Sequence, residues 1–334
     1  MQFITDVRRR AAAQRRRIVF PESGDERTLA AVSVLADEGI VEPVLLLDPS
    51  APETHAAARA IGVETIDVSA AAVADATAQR LLERRRAKGL TEEMAASHAR
   101  DTLYVGAAMV ASGQADGSVA GAVRTTADVL RAALWLIGAA PGVTTVSSAF
   151  YMVVPPFRDS TEETLTFTDC AMVPSPTAEQ LADIAIAAAD ARVAIVGDEP
   201  RVAMLSFSTR GSGSGPSVEV VQRATALVRS RRADLAVDGD LQGDAALVRQ
   251  VAERKAKGSA VAGTANVLVF PSLDAGNIAY KLVQRLAHAS AVGPIIQGLA
   301  KPCSDLSRGA VPDDIINVAA ITALQADRRR DAST

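Results

Sequence analysis

Cysteine, aromatic residues and concentrated basic charge are all scarce in this chain. The two cysteines, Cys170 and Cys303, cannot form a disulfide framework and fit a reducing compartment, so we expect a cytoplasmic protein. Aromatic residues make up 3% of the chain and the formal net charge is −4. Because a nucleic-acid groove needs a concentrated basic surface and often stacking aromatic residues, we expect no nucleic-acid partner.

Segments typical of a membrane or secreted protein are also missing. The longest uncharged run, residues 132–157, is interrupted by three prolines and two glycines, so it does not predict a spanning helix. Six arginines lie in the first 17 residues, but no apolar core follows them, so no secretory signal is predicted. We expect a soluble protein with no membrane partner.

The order of apolar segments predicts an α/β fold. The 334 residues exceed what one compact core usually holds, so two domains are expected, with the turn at Pro141-Gly142 as the best boundary. Strands that alternate with helices indicate a mainly parallel sheet. The predicted strands are residues 17–20, 44–47, 63–68, 118–123, 144–154, 193–196, 202–207, 235–238, 267–270 and 293–296.

The segment LAKPCSDLSRGAVPDD, residues 299–314, contains the first candidate site. It follows the apolar strand 293–297, and open α/β sheets bind ligands at the carboxyl ends of their strands. Ser307 and Arg308 supply a hydroxyl and a permanent cation near the carboxylate of Asp314, a set suited to proton transfer and to oxyanion or phosphate stabilisation. On spacing alone, acids in a first helical turn are explained by the helix dipole.

Two further segments are candidate anion sites. Residues 266–285 predict a strand and then a helix, on which Lys281 and Arg285 share one face. A solvated basic face and a site for phosphate or a nucleotide explain this helix equally well. Near residue 120, Thr125 or Thr126 is suited to cap a helix whose N-terminus can hold an anion, and Thr125 with Asp128 resembles a weak capping box. Arg131 on that helix is equally the expected ion-pair partner of Asp128.

The remaining motifs favour structural roles. The loop SFSTRGSGSGPS, residues 206–217, lacks the lysine of a phosphate loop, so we expect a flexible loop beside a site. The aspartates of DGDLQGD, residues 238–244, lack the spacing of a calcium loop, so caps are favoured and no metal site is predicted. Cys303 is expected to be a buried small side chain rather than an acyl-accepting thiol.

Taken together, these segments resemble the phosphotransacetylase (phosphate acetyltransferase) family. The matching stretches are VFPESGDERTL, ADGSVAGAV with TTADVLR, SFSTRGS, DGDLQGDAA, NVLVFPSLDAGNIAYKLVQRLA, and GPIIQGLAKPCSDLSRG with DDIIN. They extend from near residue 18 to near residue 324, and their joint order and spacing are highly specific.

The resemblance implies a two-domain fold of the isocitrate/isopropylmalate dehydrogenase kind, with mainly parallel sheets, flanking helices and an interdomain cleft for the substrates. It implies a first domain of residues 1–142 with 298–334, a second domain of residues 143–297, and a homodimer. The implied enzyme is an acyltransferase of acetate metabolism that converts acetyl-CoA and phosphate reversibly to acetyl phosphate and coenzyme A. No metal ion and no tightly bound cofactor are implied.

The resemblance also implies individual roles. Asp314 matches the base for the coenzyme A thiol, Arg308 the arginine that stabilises charge at the reacting carbonyl and phosphate, and Ser307 the adjacent hydroxyl donor. Arg285 and Arg131 match arginines of the cleft. Arg85 matches a basic position linked to coenzyme A, and a slip of one residue selects Arg84 or Arg86 instead. The other expected substrate-binding residues are Thr125, Asn277, Tyr280 and Lys281.

Three other functions stay open from the sequence. A phosphate acyltransferase for a longer chain such as butyryl differs only in pocket size. A non-catalytic acyl-CoA sensor is disfavoured because Ser307, Arg308 and Asp314 are all present. A dehydrogenase of the same architecture is disfavoured because no dinucleotide fingerprint is found.

Overall fold

The computed structural model of the chain describes residues 1–158 and 160–331, the last five of these by their backbone alone. The strands are β1 (Arg17–Phe20), β2 (Glu42–Leu47), β3 (Glu64–Asp67), β4 (Gly117–Ala120), β5 (Ser147–Val154), β6 (Glu163–Thr168), β7 (Arg201–Leu205), β8 (Ala236–Leu241), β9 (Val267–Val269), β10 (Ser290–Gln297) and β11 (Cys303–Asp305).

The α-helices are α1 (Gln2–Gln14), α2 (Glu26–Asp37), α3 (His55–Ala60), α4 (Ala71–Arg85), α5 (Glu92–His98), α6 (Thr102–Ser112), α7 (Thr126–Leu136), α8 (Ala178–Ile195), α9 (Pro216–Arg231), α10 (Gly243–Leu247), α11 (Arg249–Lys255), α12 (Leu273–Leu286) and α13 (Pro312–Asp331). Short 3-10 helices cover Pro52–Thr54 and Arg86–Lys88. No helix in the described ranges combines the length and apolar character that crossing a membrane requires.

Two units of the chain each pack mainly within themselves. We call Ile4–Pro141, together with the chain from Leu299 onward, the N-terminal unit, and Met1–Phe3 with Gly142–Gly298 the central unit. The assignment of domains to residues 1–142 with 298–334 and to residues 143–297 stays a prediction.

The N-terminal unit contains a five-stranded parallel sheet in the order β11-β4-β1-β2-β3. Its central strand β1 is a β-branched and aromatic run whose last three residues are fully buried, as expected for a parallel sheet covered on both faces. Gly117 begins β4, and a Cβ there would overlap Thr322 of α13, so glycine permits the close packing of helix on sheet. Because all five strands run the same way, their carboxyl ends share one edge.

The central unit contains a six-stranded mixed sheet in the order β10-β5-β6-β9-β7-β8. β10 and β6 flank β5 antiparallel, and the other neighbours are parallel. One face packs against α8 and α9, where Leu181 and Ile184 are fully buried. Ser147 at the start of β5 pairs with Gln297 at the end of β10, so the two ends of this unit lie on adjacent strands.

The structure confirms the predicted α/β class with mainly parallel sheets, and it corrects four local predictions. Residues 193–196 are not a strand, because α8 runs to Ile195 from a complete capping box at Thr177. The strand predicted over 118–123 ends at Ala120. Strands β6 and β11 were not predicted. Ser307 therefore follows β11, whereas residues 293–297 belong to β10 of the central sheet.

Arg192 supplies a test of the central unit. Its guanidinium is 2% exposed and donates to Asp198, to Thr166 Oγ1 and to the carbonyl of Asn266. We expect Arg192→Met to lower the free energy of unfolding by about 2–4 kcal/mol, because two buried acceptors, on Thr166 and Asn266, and the carboxylate of Asp198 lose their donor together. Urea unfolding followed by circular dichroism measures this change.

Arg223→Met is the matched control, because Arg223 pairs with Glu179 while both side chains are more than half exposed. We expect a change of less than about 0.5 kcal/mol there. Equal effects of the two substitutions would contradict the structural role of Arg192.

Candidate functional site

Three loops leave the carboxyl edge of the N-terminal sheet, after β1, β4 and β11. Glu22, in the first loop, is 8% exposed and accepts hydrogen bonds from four consecutive backbone N–H groups of the second. Its Oε2 accepts from Gly121 at 2.9 Å and Ala122 at 2.8 Å, and its Oε1 from Val123 at 3.1 Å and Arg124 at 2.8 Å. One carboxylate thus fixes the loop that leads into α7.

Arg27 joins the third loop to the other two. Its Nη1 donates to the carbonyl oxygens of Arg308 at 2.8 Å and Ala310 at 3.0 Å, and its Nη2 donates to that of Ala122 at 2.7 Å. Nε and Nη2 also bond to the carboxylate of Asp25, which caps α2. Only a planar guanidinium offers donors in all these directions, so lysine is no substitute here.

The predicted Ser307 and Arg308 extend from this clamped loop into solvent. Both are exposed, and Ser307 Oγ accepts the N–H of Gly309 at 3.2 Å. Among the described residues, the Arg308 side chain has no carboxylate partner. Its positive charge is therefore free for an anionic ligand.

The two aspartates at the start of α13 differ in their partners. Asp313 forms an ion pair with Arg8 of α1 and accepts from Asn317. Asp314 accepts the N–H of Val311 at 3.0 Å and, within the described ranges, pairs with no cation. Asp314 is exposed. The dipole explanation therefore fits both residues, but only Asp314 keeps a carboxylate that is free to act on a ligand.

Asp305, the last residue of β11, is a buried carboxyl at the same edge. It is 1% exposed, and Thr126 Oγ1 donates to its Oδ2 at 2.5 Å. Burial raises the pKa of Asp305 to about 6, and the nearby Glu22 carboxylate acts in the same direction. A Cβ at Gly121 would overlap this carboxyl, so glycine is required where β4 ends.

Helix α7 carries Thr125 and Arg131 as predicted, and both have structural partners. Thr125 is the N-cap: its hydroxyl accepts the N–H of Asp128 and donates to the carboxylate of Asp128 at 2.8 Å. Arg131 forms an ion pair with Asp128 at 2.9 Å and is 48% exposed. The capping interaction and the i,i+3 pair are therefore confirmed. The roles of Thr125 and Arg131 in substrate binding stay predictions.

The three consecutive arginines at the end of α4 have different environments. Arg84 donates to the carbonyl of Ile137 at 3.1 Å, and Arg86 pairs with Glu92 while both are largely exposed. The Arg85 guanidinium lies 4.9 Å from the ring centre of Trp135, with no ion pair in the described part of the chain. Of the three, Arg85 has the side chain best prepared for an anion.

The predicted residues of the central unit lie on α12 and have two kinds of environment. Lys281 and Arg285 are exposed on one face, as the spacing predicted. Asn277 donates to the carbonyl of Cys170 at 3.0 Å, and Tyr280 stacks on Phe150 with ring centres 4.1 Å apart. These contacts hold α12 on its sheet. A substrate contact from Asn277 or Tyr280 stays a prediction.

The DGDLQGD segment has structural contacts. Asp238 pairs with Arg210, Asp240 accepts the N–H of Gly211, and Asp244 pairs with Lys255. Within residues 1–158 and 160–331, no group of three or more potential ligand side chains is arranged to hold a metal ion.

Cys303 lies inside β11 and is 4% exposed. Burial raises the pKa of its thiol to about 12. The side chain is therefore a protonated, inaccessible thiol, which favours the structural interpretation over an acyl acceptor.

Sequence reasoning assigned no role to Glu22, Arg27, Asp305 or Trp135. The segment PESGDER follows β1 directly, so the strand-end rule applied to the Ser-Arg loop also points to it. Nothing local marks Trp135 or Asp305, because their partners are about 50 and about 180 residues away in the sequence.

Comparison with known proteins identifies the family to which the chain belongs. The chain matches the phosphate acetyl/butaryl transferase family over residues 2–323. It is 47% identical over 98% of its length to a phosphate acetyltransferase of Thermoanaerobacterium thermosaccharolyticum, all of which is covered. A phosphotransacetylase structure from Streptococcus pyogenes is 41% identical, with a TM-score of 0.90 and 98% of each chain covered.

A more distant structure shares the fold alone. It is a putative 4-hydroxythreonine-4-phosphate dehydrogenase from Salmonella typhimurium, 12% identical, with a TM-score of 0.53 over 93% of this chain and 99% of that one. The dehydrogenase-like architecture expected from the sequence is thus confirmed.

The raised pKa of Asp305 makes the free energy of unfolding depend on pH. Because folding raises its pKa above the ordinary value, the fold favours the protonated form. The stability that this provides is complete below about pH 4 and is lost as the pH rises through about 6. We expect the unfolding free energy of wild type, relative to Asp305→Asn, to fall by about 2–3 kcal/mol between pH 4 and pH 7.

Urea unfolding at pH 4.0, 5.5 and 7.0 measures this difference. Asp37→Asn removes an exposed carboxyl and is the control, with an expected change below about 0.5 kcal/mol across the same range. A difference between wild type and Asp305→Asn that is flat with pH would contradict a protonated buried carboxyl.

Proposed function

The chain belongs to the phosphate acetyl/butaryl transferase family of acyltransferases, and on this premise we propose that it transfers an acetyl group reversibly between coenzyme A and inorganic phosphate. The observation that carries the proposal is 47% identity along the whole length of a phosphate acetyltransferase. The exposed hydroxyl, cation and carboxylate of Ser307, Arg308 and Asp314, presented close together in the sequence at one edge of a parallel sheet, agree with it.

In the direction of thioester synthesis, Asp314 takes the proton of the coenzyme A thiol. The thiolate sulfur then attacks the carbonyl carbon of acetyl phosphate, and the bond from that carbon to the phosphate oxygen breaks. The leaving phosphate takes the proton from Asp314 and so regenerates the base. Arg308 stabilises the oxyanion and the departing phosphate, and Ser307 donates a hydrogen bond beside it. Arg85, Arg131 and Arg285, with Lys281, bind anionic groups of the substrates.

Proton transfer to an aspartate needs help from the site. Ordinary pKa values of a thiol and an aspartate differ by about 4.6 units, or roughly 6 kcal/mol. A cation beside the sulfur favours the thiolate and reduces this gap. Arg308 suits that task because its side chain has no carboxylate partner within the described ranges. Stabilisation of the thiolate, rather than a strong base, therefore drives the step.

The proposal includes a cytoplasmic homodimer without a tightly bound cofactor. Both cysteines are buried and unpaired, which agrees with a reducing compartment. Acyl transfer between a thiol and phosphate needs no redox chemistry. Butyryl transfer and acyl-CoA sensing are the alternatives that the first experiment separates.

Thioester formation from acetyl phosphate and coenzyme A, followed at 233 nm, tests the function and the base. We expect turnover by wild type and a loss of about 10²–10⁴-fold in kcat for Asp314→Asn, because general base catalysis is removed. Asp313→Asn is the matched control, since its partner is Arg8, and we expect a change within about twofold.

Equal losses in both aspartate variants would contradict the assignment of the base to Asp314. Faster turnover of butyryl phosphate than of acetyl phosphate would show that butyryl, not acetyl, is the preferred acyl group. If the protein binds coenzyme A but turns over neither acyl phosphate, the result would favour a non-catalytic acyl-CoA sensor.

Arg27 provides a second test, because its guanidinium holds the Ser307–Arg308 loop through the backbone carbonyls of Arg308 and Ala310. We expect Arg27→Lys to lower kcat by about 10–100-fold with a smaller change in KM, because a misplaced loop loses transition-state contacts. Arg17→Lys is the control. Arg17 likewise uses more than one donor, but its partners are the carboxylates of Glu42 and Glu64 at the amino end of β1. An unchanged kcat in Arg27→Lys would refute this positioning role.

A further inference from the structure

Three aromatic side chains from α5, α6 and α7 form a cluster in the N-terminal unit. The rings of His98 and Tyr104 stack with centres 4.5 Å apart. The Trp135 ring meets His98 edge to face at 5.3 Å and Tyr104 at 5.7 Å. Such pairs are mutually stabilising, so the indole of Trp135 is held in one orientation by its neighbours.

The Trp135 ring of this cluster also contacts a cation. The Arg85 guanidinium lies 4.9 Å from the Trp135 ring centre, within the range of a cation–π interaction. An aromatic face orients a guanidinium without cancelling its charge, whereas a carboxylate would cancel it. The neighbouring Arg86 shows the alternative, because its charge is paired with Glu92.

Arg131, another cation of this unit that is expected to bind substrate, interacts with the same cluster. Tyr104 is 3% exposed, and burial raises the pKa of its phenol. The positive charge of Arg131 opposes that rise. The aromatic cluster thus connects α4 and α7, the helices that carry Arg85 and Arg131.

We propose that Trp135 is a positioning residue for coenzyme A: its indole face holds the Arg85 guanidinium, still charged, where a phosphate group of the coenzyme binds. The inference rests on the proposed function for the identity of the ligand. It adds a residue that never touches the reacting atoms and acts through Arg85. When a phosphate draws the guanidinium, the environment of the indole changes as well.

The first test uses the fact that Trp135 is the only tryptophan of the chain. Coenzyme A alone, with no acyl donor, is titrated into the protein while indole emission is recorded. We expect a saturable change in emission, which Arg85→Ala abolishes. Emission that stays constant while coenzyme A binds by calorimetry would overturn the inference.

The second test separates KM from kcat. We expect Trp135→Leu to raise the KM for acetyl-CoA about 3–10-fold, with kcat and the KM for phosphate within about twofold, because a cation–π contact of modest strength is lost. Trp135→Phe keeps an aromatic face and restores most of the affinity. Leu134→Ala, at an exposed position on the same helix, is the matched control and keeps the wild-type KM.

A double substitution completes the design. If Trp135 acts through Arg85, the KM effects of Trp135→Leu and Arg85→Ala do not multiply when combined. Fully multiplicative effects, or a KM for acetyl-CoA in Trp135→Leu equal to that of wild type, would overturn the inference. The proposed function fails in a different way, because wild type then shows no turnover while the emission still responds to coenzyme A.

Discussion

A parallel sheet brings the carboxyl ends of its strands to one edge, and the loops that leave this edge have backbone N–H and C=O groups without strand partners. In the N-terminal unit, Glu22 satisfies four of these N–H groups and Arg27 satisfies three of the carbonyls. The buried carboxylate of Glu22 and the partly buried guanidinium of Arg27 are thus both directed at the backbone. The side chains of Ser307 and Arg308 are left pointing away from a fixed loop, which is the preorganisation that acyl transfer requires.

Neighbouring residues of the same type in this chain differ in whether they form an ion pair. Asp313 has an arginine partner and its neighbour Asp314 has none within the described ranges, and Arg86 and Arg85 differ in the same way. An unpaired surface charge costs little in water, because solvent screens it. A substrate with several phosphates supplies the missing counter-charges. Arg85 and Arg308 are thus two cations without a carboxylate partner in the described ranges that the proposed chemistry can use.

Local patterns in the sequence predicted most of the fold, and they marked the exposed segment of Ser307, Arg308 and Asp314 as a candidate site. Apolar strands such as residues 17–20 and the cap at Thr125 depend on neighbours in sequence, and so could be predicted. Strand β11 could not, because its three residues become a strand only beside β4. The bonds of Arg27 to the Ser-Arg loop span more than 280 positions, so no local pattern marks them.

The pairing of Ser147 with Gln297 has a consequence for synthesis on the ribosome. The Ser-Arg loop is translated after the central unit. One edge of β4 therefore has no partner strand until β11 has been synthesised. Joining two distant segments normally costs entropy that grows with the length between them. Once the central unit has folded, its two ends lie on adjacent strands. The chain between β4 and β11 then behaves as a short connection rather than a long one. The folded central unit therefore shortens the connection between β4 and β11, and the Ser-Arg loop can form only after that unit has been synthesised.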